Sequence, residues 1–486
     1  MITFEEKVGY GFGDMACSMF WKIFGMYLLF FYTKVVGLSP AAVGTMFLVT
    51  RIWDSVTDPV MGLIVDRTNT RWGKYRPYLL WVPIPLAIMG MVMFYVPSFG
   101  WTGKLVYAYV SYALMLTVYS AINVPYASLL GVMSSSPKER NILSSYRMLF
   151  AFIGSFITFM FFQPLVDFFA VTFSSSSSSS VTSVENLADG ASINRDPMGW
   201  FFAMAVIGVV CIVLFFLCFS QTTERIKAVN QEDASIGQDF RNLAGNFPWW
   251  ILAGSGIAAL LFNAIRDGAA LFYFADYIQV NYRIPNLGWS LATIYFLIGQ
   301  AANMIGVALS APLSNKYGKR RTYMAAMALA AILSTFFFML TPDNIVMILV
   351  LQVLISICAG YIFPLLWSMY ADIVDYQELK TGRRTTGLIF SSSSMSQKMG
   401  WALGAGITGW MLAIFGYGQN AVEQTDYAIY GLRLMMSWLP AISCVLAVVG
   451  MAFYPLSEKK VRAISAELEA RRRAARKDEI SANKAN

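Results

Sequence analysis

The chain has 486 residues, 57% of them hydrophobic and only 13% charged, with a formal charge of +8 and no histidine. Soluble chains carry about a quarter charged residues, so the composition argues against a water-soluble globule. Without histidine there is no Ser-His-Asp triad, HExxH zinc site or imidazole relay, and the five cysteines stand singly in apolar runs, as small buried hydrophobes.

Apolar stretches of ~20 residues, each able to cross ~30 Å of hydrocarbon, recur along the chain. They predict an all-α membrane protein of about twelve transmembrane helices, at 11–36, 42–66, 78–97, 104–133, 143–170, 198–220, 248–278, 288–314, 322–341, 345–371, 385–416 and 428–455. No cleavable signal precedes the first span. Basic residues cluster after even spans: Arg67, Arg71, Lys74 and Arg76 after the second, Lys319, Arg320 and Arg321 after the eighth, Lys380 and Arg383 after the tenth. Connections after odd spans carry few, mainly Lys104, Arg195 and Arg283. This alternation places both termini in the cytoplasm and explains the positive charge by topology, with no nucleic-acid partner.

Charges within spans cost ~2.5–3.5 kcal/mol each on insertion scales, so they carry the functional signal. Span 1 has Asp14, Ser18 and Lys22 on one stripe. Span 2 reads Arg51-Ile-Trp-Asp54-Ser-Val-Thr57-Asp58-Pro59. Asp54 and Asp58 share a helix face, and two carboxylates about 5 Å apart repel by ~3 kcal/mol at an effective dielectric of 20. They must share a proton or hold a monovalent cation, with Thr57 supplying a further oxygen. Arg51 and Lys398 are the candidate neutralising groups, and Pro59 is expected to bend the helix. Span 4 holds Ser120 and Asn123 before Pro125, and span 5 opens with Arg147. Span 7 contains Arg266-Asp267-Gly268, read as a break lining a cavity. Span 11 carries the single cation Lys398, which would join the two sets of spans through one charge network. Trp53, Tyr126 and Trp367 are candidates to pack on the apolar face of a sugar.

The polar stretch 221–247 separates residues 1–220 from 248–456, six spans each, with a basic tail at 457–486. An internal repeat supports the division. Gly62-Leu-Ile-Val-Asp66-Arg67 and Arg71-Trp-Gly73-Lys74-Tyr-Arg76 follow span 2, and Pro312-Leu-Ser-Asn-Lys316-Tyr-Gly318-Lys319-Arg320-Arg321 follows span 8. This fits the parallel repeat of a major-facilitator fold. Asp66, Arg67, Arg71 and Lys74 are the candidate conformational gate. The serine run 174–180 reads as a flexible tether, and the tail as an amphipathic helix with a frayed end.

These residues resemble the glycoside–pentoside–hexuronide:cation symporter family from about Lys7 to Pro455. The most specific stretches are Gly9-Tyr-Gly-Phe-Gly13, Gly44 to Pro77, Asn123-Val-Pro125, Asp372-Ile-Val-Asp375-Tyr376 and Lys398. The resemblance implies import of a sugar, glycoside or uronide by alternating access across a bacterial cytoplasmic membrane. It implies a monomer, coupled to Na⁺ or H⁺ and using no other cofactor. Asp54 and Asp58 match the family's cation-site carboxylates, with Thr57, Ser120 and Asn123 beside them. Lys398 matches a lysine near both sites, and Arg147 a sugar-site arginine. In the melibiose-transporting members, a helix-1 and a helix-4 carboxylate stand where this chain has Ser18 and Asn123, which argues against melibiose. Asp14 and Lys22 are the candidate replacements, Lys22 suiting an acidic sugar, and Arg266 and Trp367 complete the expected substrate set. The rival readings are a lipid or other non-sugar carrier, a drug:proton antiporter and a non-transporting sensor. An enzyme is disfavoured for want of a nucleophile–base pair, metal motif or phosphate loop.

Overall fold

The computed structural model describes residues 2–134, 137–174, 196–225, 241, 243–279, 289–382, 386–418, 421, 423–464, 466–468 and 470. Within them, the side chains of some residues, Pro59, Asp66 and Arg67 among them, are not described. Among the described residues there are twelve helical spans. The first half contains α1 Phe4–Val35, α2 Pro40–Arg67, α3 (Arg76–Trp81 and Pro83–Met93), α4 Trp101–Met133, α5 Pro137–Ser174 and α6 Pro197–Gln221. The second contains α7 Phe247–Ile278, α8 Leu291–Tyr317, α9 Lys319–Phe337, α10 Ile345–Thr381, α11 Thr386–Ile414 and α12 (Asp426–Met436 and Trp438–Ala452). Eight of these are long and apolar enough to cross a membrane by length and composition alone. The other four are α2, α3, α9 and α11. Charges or serines dilute α2 and α11, Pro83 divides α3, and α9 opens on three basic residues.

Packing repeats between the halves. α1 lies against α5 and α6, α3 against α4 and α6, and α2 against α4. In the same relation, α7 lies against α11 and α12, α9 against α10 and α12, and α8 against α10. The halves meet along α2–α11, α5–α8 and α1–α7.

α2 shows why these helices face lipid. Val49, Ile52, Val56, Val60 and Ile64 recur at helical spacing and are exposed, Ile52 by 67%, whereas Asp54 is 1% exposed. The apolar stripe points outward and the carboxylate inward, the reverse of a soluble amphipathic helix.

The sequence repeat has a structural counterpart at the face where the termini lie. Gly73 has φ +110 and Gly318 φ +90, left-handed-side conformations that favour glycine. Just past α6, the Glu224 carboxylate accepts the backbone N–H groups of Lys74, Tyr75 and Arg76 at 2.7–2.9 Å, capping α3. Past α12, Glu458 accepts the N–H of Lys319 at 2.9 Å, capping α9. Arg71 stacks on Trp72, and Lys319 pairs with Asp372 of α10 at 2.7 Å. Among the gate residues, Arg71 and Lys74 belong to this capped turn, while the side chains of Asp66 and Arg67 lie outside the described set.

One expectation about helix shape fails. α7 is not broken at Arg266-Asp267-Gly268; it is continuous α-helix from Phe247 to Phe272 and then loosens into a π-helical turn at Tyr273–Ile278. The arginine that seemed to call for a break is satisfied by side chains and by a carbonyl of α12. α2 is likewise continuous across Pro59. α1 carries π-helical turns at Ile23–Tyr27 and Phe31–Val35, which period and composition did not reveal. The serine run beyond Ser174 and the tail beyond 470 lie outside the described residues.

Candidate functional site

The acidic face of α2 is built by spacing. Residues 51, 54 and 58 fall on one side of the helix, turned toward α4 and α11. Arg51 Nη1 donates to Asp54 Oδ2 at 2.8 Å. Ser120 Oγ, from α4, lies 2.5 Å from Asp58 Oδ1 and 3.2 Å from Asp54 Oδ1. From α11, Lys398 Nζ is in direct contact with Asp58 Oδ2 and stands 3.4 Å from Asp54 Oδ2. Two carboxylates and two cations thus balance, and the ion-pair network crosses between the halves. Thr57 Oγ1 donates to the Asp54 carbonyl at 3.1 Å, so its hydroxyl proton is directed to backbone. Gly44 makes the approach possible. A Cβ there would stand 2.7 Å from the Gly406 carbonyl oxygen, so α2 and α11 cross nearly backbone to backbone. Trp410 Nε1 donates to Thr45 Oγ1 beside that crossing.

A second polar centre lies between α1 and α5. Arg147 grips Asp14 with two nitrogens, Nε at 3.1 Å and Nη2 at 3.3 Å, and its guanidinium lies over the Tyr126 ring. A forked pair of this kind holds the arginine flat and leaves its other N–H groups for a ligand. Asp14, Ser18, Lys22, Asn123, Arg147 and Lys398 line one cavity of about 270 Å³. Ser18, Lys22 and Arg266 also line a second, of about 220 Å³, between the halves. The sequence stripe 14-18-22 therefore faces these cavities, and Lys398 serves both the carboxylate pair and the first cavity.

Other expected substrate residues are placed differently. Arg266 forms part of the second cavity's wall, but its guanidinium donates to Met436 O, Tyr295 Oη and Gln352 Oε1, each at 2.9 Å, pinning α7 to α12, α8 and α10. Trp367 lines neither cavity and meets Tyr370 edge to face. Trp53 is exposed and donates to Thr117, and Tyr126 is buried against Tyr10. The aromatics that do line both cavities are Trp21 and Trp401. A signal for each was available: Trp21 adjoins Lys22 on the polar stripe, and Trp401 is three residues past Lys398.

Lys34, in the last π turn of α1, pairs with Asp276 in the π turn of α7 at 3.1 Å, and both are buried. Tyr417 donates to the same carboxylate. Gln163 of α5 accepts hydrogen bonds from Ser290 and Thr293 at the start of α8. The Lys34–Asp276 and Gln163 contacts join the halves at the face opposite the termini.

The chain matches the family described as MFS/sugar transport protein over residues 9–458. It belongs to the MFS/sugar transport family. It is similar to a putative glycoside/cation symporter, YagG, of Escherichia coli (strain K12), with 35% identity over 96% of this chain and 95% of that one. It is also similar to the isoprimeverose transporter of Lactiplantibacillus pentosus, with 31% identity over 94% of this chain and 90% of that one. Among solved structures, an inward-facing, unoccupied bacterial homolog of the human lysosomal transporter Spinster superposes with a TM-score of 0.65 at 14% identity, over 93% of this chain and 95% of that one. That likeness establishes the major-facilitator fold. A member of the MFS/sugar transport family is a multi-pass membrane transporter, not an enzyme, and the Asp54–Asp58–Lys398 centre lies where its halves meet.

Proposed function

We propose that this chain is a cation-coupled symporter that imports a sugar or glycoside by alternating access. The coupling ion is Na⁺ or H⁺, held by Asp54 and Asp58 with Ser120 and Thr57 alongside. Sugar binds in the cavities lined by Arg147, Lys22 and Asn123. One observation carries this reading: Lys398 of the second half neutralises the carboxylate pair of the first. With Arg51 and Lys398 in place the pair is already balanced, so an entering cation or proton displaces the lysine. Lys398 also lines the sugar cavity, so its release changes the site that sugar meets. Both ligands thereby bias one equilibrium between two packings of the halves, and their binding is reciprocal.

The face bearing the termini carries the basic connections and is cytoplasmic in this reading. The protein works as a monomer in the inner-membrane bilayer. The test is Asp58→Cys in right-side-out vesicles against imposed Na⁺ or H⁺ gradients. Cation-stimulated uptake should vanish while some sugar binding survives. Unaltered coupled accumulation would refute the cation site, and the gradient that drives the unmutated protein identifies the ion.

A further inference from the structure

Asp267 belongs to neither polar centre described so far. It sits on α7, and its side chain lines the cavity between the halves. Among the described residues it makes no hydrogen bond and no ion pair of ordinary length. Lys22, from the facing wall, and Arg266 act on it electrostatically, but the Arg266 nitrogens are directed to Met436, Tyr295 and Gln352. One turn before it, Asn263 lines the same cavity, as does Asn303 of α8, whose Oδ1 is shielded from solvent with no hydrogen-bond partner. An ionised carboxylate only accepts hydrogen bonds, and a buried carbonyl oxygen without a donor is costly. This wall therefore calls for hydroxyl donors, which a pyranose ring supplies in adjacent pairs.

The two cavities share Ser18, Trp21, Lys22, Ser155 and Trp401. Each alone is smaller than the ~300–1,000 Å³ of ordinary small-molecule sites, and joined they fall within that range. We propose that Asp267, Asn263 and Asn303 form a second sugar subsite, so that the substrate is a neutral two-ring glycoside. One ring lies beside Arg147 and Lys398 and the other against α7 and α8. This rests on the sugar-symport reading above. Lys22 and Asp267 face each other across the cavity, so a uronide carboxylate drawn to the lysine is repelled by Asp267, while Arg266 directs its nitrogens to Met436, Tyr295 and Gln352. Where Ser18 and Asn123 offer no carboxylate from the first half, Asp267 provides one from the second.

The experiment measures uptake and competition in vesicles with isoprimeverose, xylobiose and cellobiose, each against its monosaccharide units D-xylose and D-glucose. The unmutated protein should prefer at least one disaccharide over its units. Asp267→Asn should weaken that disaccharide by about tenfold or more while shifting the monosaccharide by less than twofold. Asn303→Ala should act in the same direction and covers the case in which Asp267→Asn fails to fold. Equal losses for disaccharide and monosaccharide, or an unmutated protein that prefers monosaccharides, would overturn the subsite and leave the symporter reading standing. No cation-stimulated uptake of any of these sugars would overturn both.

Discussion

Arg147 shows how much depends on side-chain geometry. Its forked grip on Asp14 fixes a planar donor at the cavity wall. A lysine keeps the charge but offers a flexible point donor. Arg147→Lys should lower sugar affinity roughly tenfold, the loss of a charge-assisted hydrogen bond, while leaving cation binding intact. Equilibrium binding of labelled sugar with and without the coupling ion checks this, and undiminished affinity would move the sugar away from α5. Asp54, Asp58, Lys398 and Arg147 stand out in the sequence because a charge in an apolar span is costly and must have a reason, and the structure places them in the two polar centres. Trp21, Trp401 and Asp267 were harder to read. With 15% aromatic residues any one tryptophan looks like packing, and Asp267 was read with its neighbour Arg266 as a single polar break.

Most helices were legible to within a few residues, but α1 begins at Phe4, well before the expected 11, and α10 runs on through Asp372 and Asp375 to Thr381, past the expected 371. Internal irregularities of the helices were not legible. The π turns of α1 and α7 have no composition signature, and they place Lys34 and Asp276 opposite one another at the interface. The α12 interruption at Ser437 is the exception, because Pro440 has no N–H to give the carbonyl four residues back. It lies beside the Met436 carbonyl that accepts from Arg266 of α7. The α2–α11 crossing depends on glycine, so a larger residue has no free volume to enter. Gly44→Val should cost about 1–3 kcal/mol through overpacking and should also separate Lys398 from Asp58. A lower melting temperature together with weakened cation-stimulated uptake is the expected result. Normal melting and normal transport would show that the crossing tolerates a side chain.

Across the whole molecule, the ties at the face opposite the termini hold the two halves together there. Removing one partner of a buried ion pair leaves an uncompensated charge, at a cost of about 3–5 kcal/mol. Asp276→Asn should therefore destabilise the arrangement seen here and favour opening at that face. In a Val36→Cys background, labelling by a membrane-impermeant maleimide should rise several-fold. Unchanged labelling with unchanged uptake would assign the Lys34–Asp276 pair to packing alone. The twelve-helix, two-half plan was readable from the basic connections and the repeat, because both reflect a chain threaded back and forth across one bilayer. The ties opposite the termini were not, because polar residues near span ends, such as Lys34, Asp276 and Ser290, are ordinary and call for no distant partner.

The two glutamates that cap α3 and α9 bear on how the chain is made. Glu224 follows the last helix of the first half, so the loop before α3 stays uncapped until six helices have been synthesised. Glu458 imposes the same delay on α9. Each six-helix unit is thus fastened by its own final residues, and the first can be completed before the second has left the ribosome.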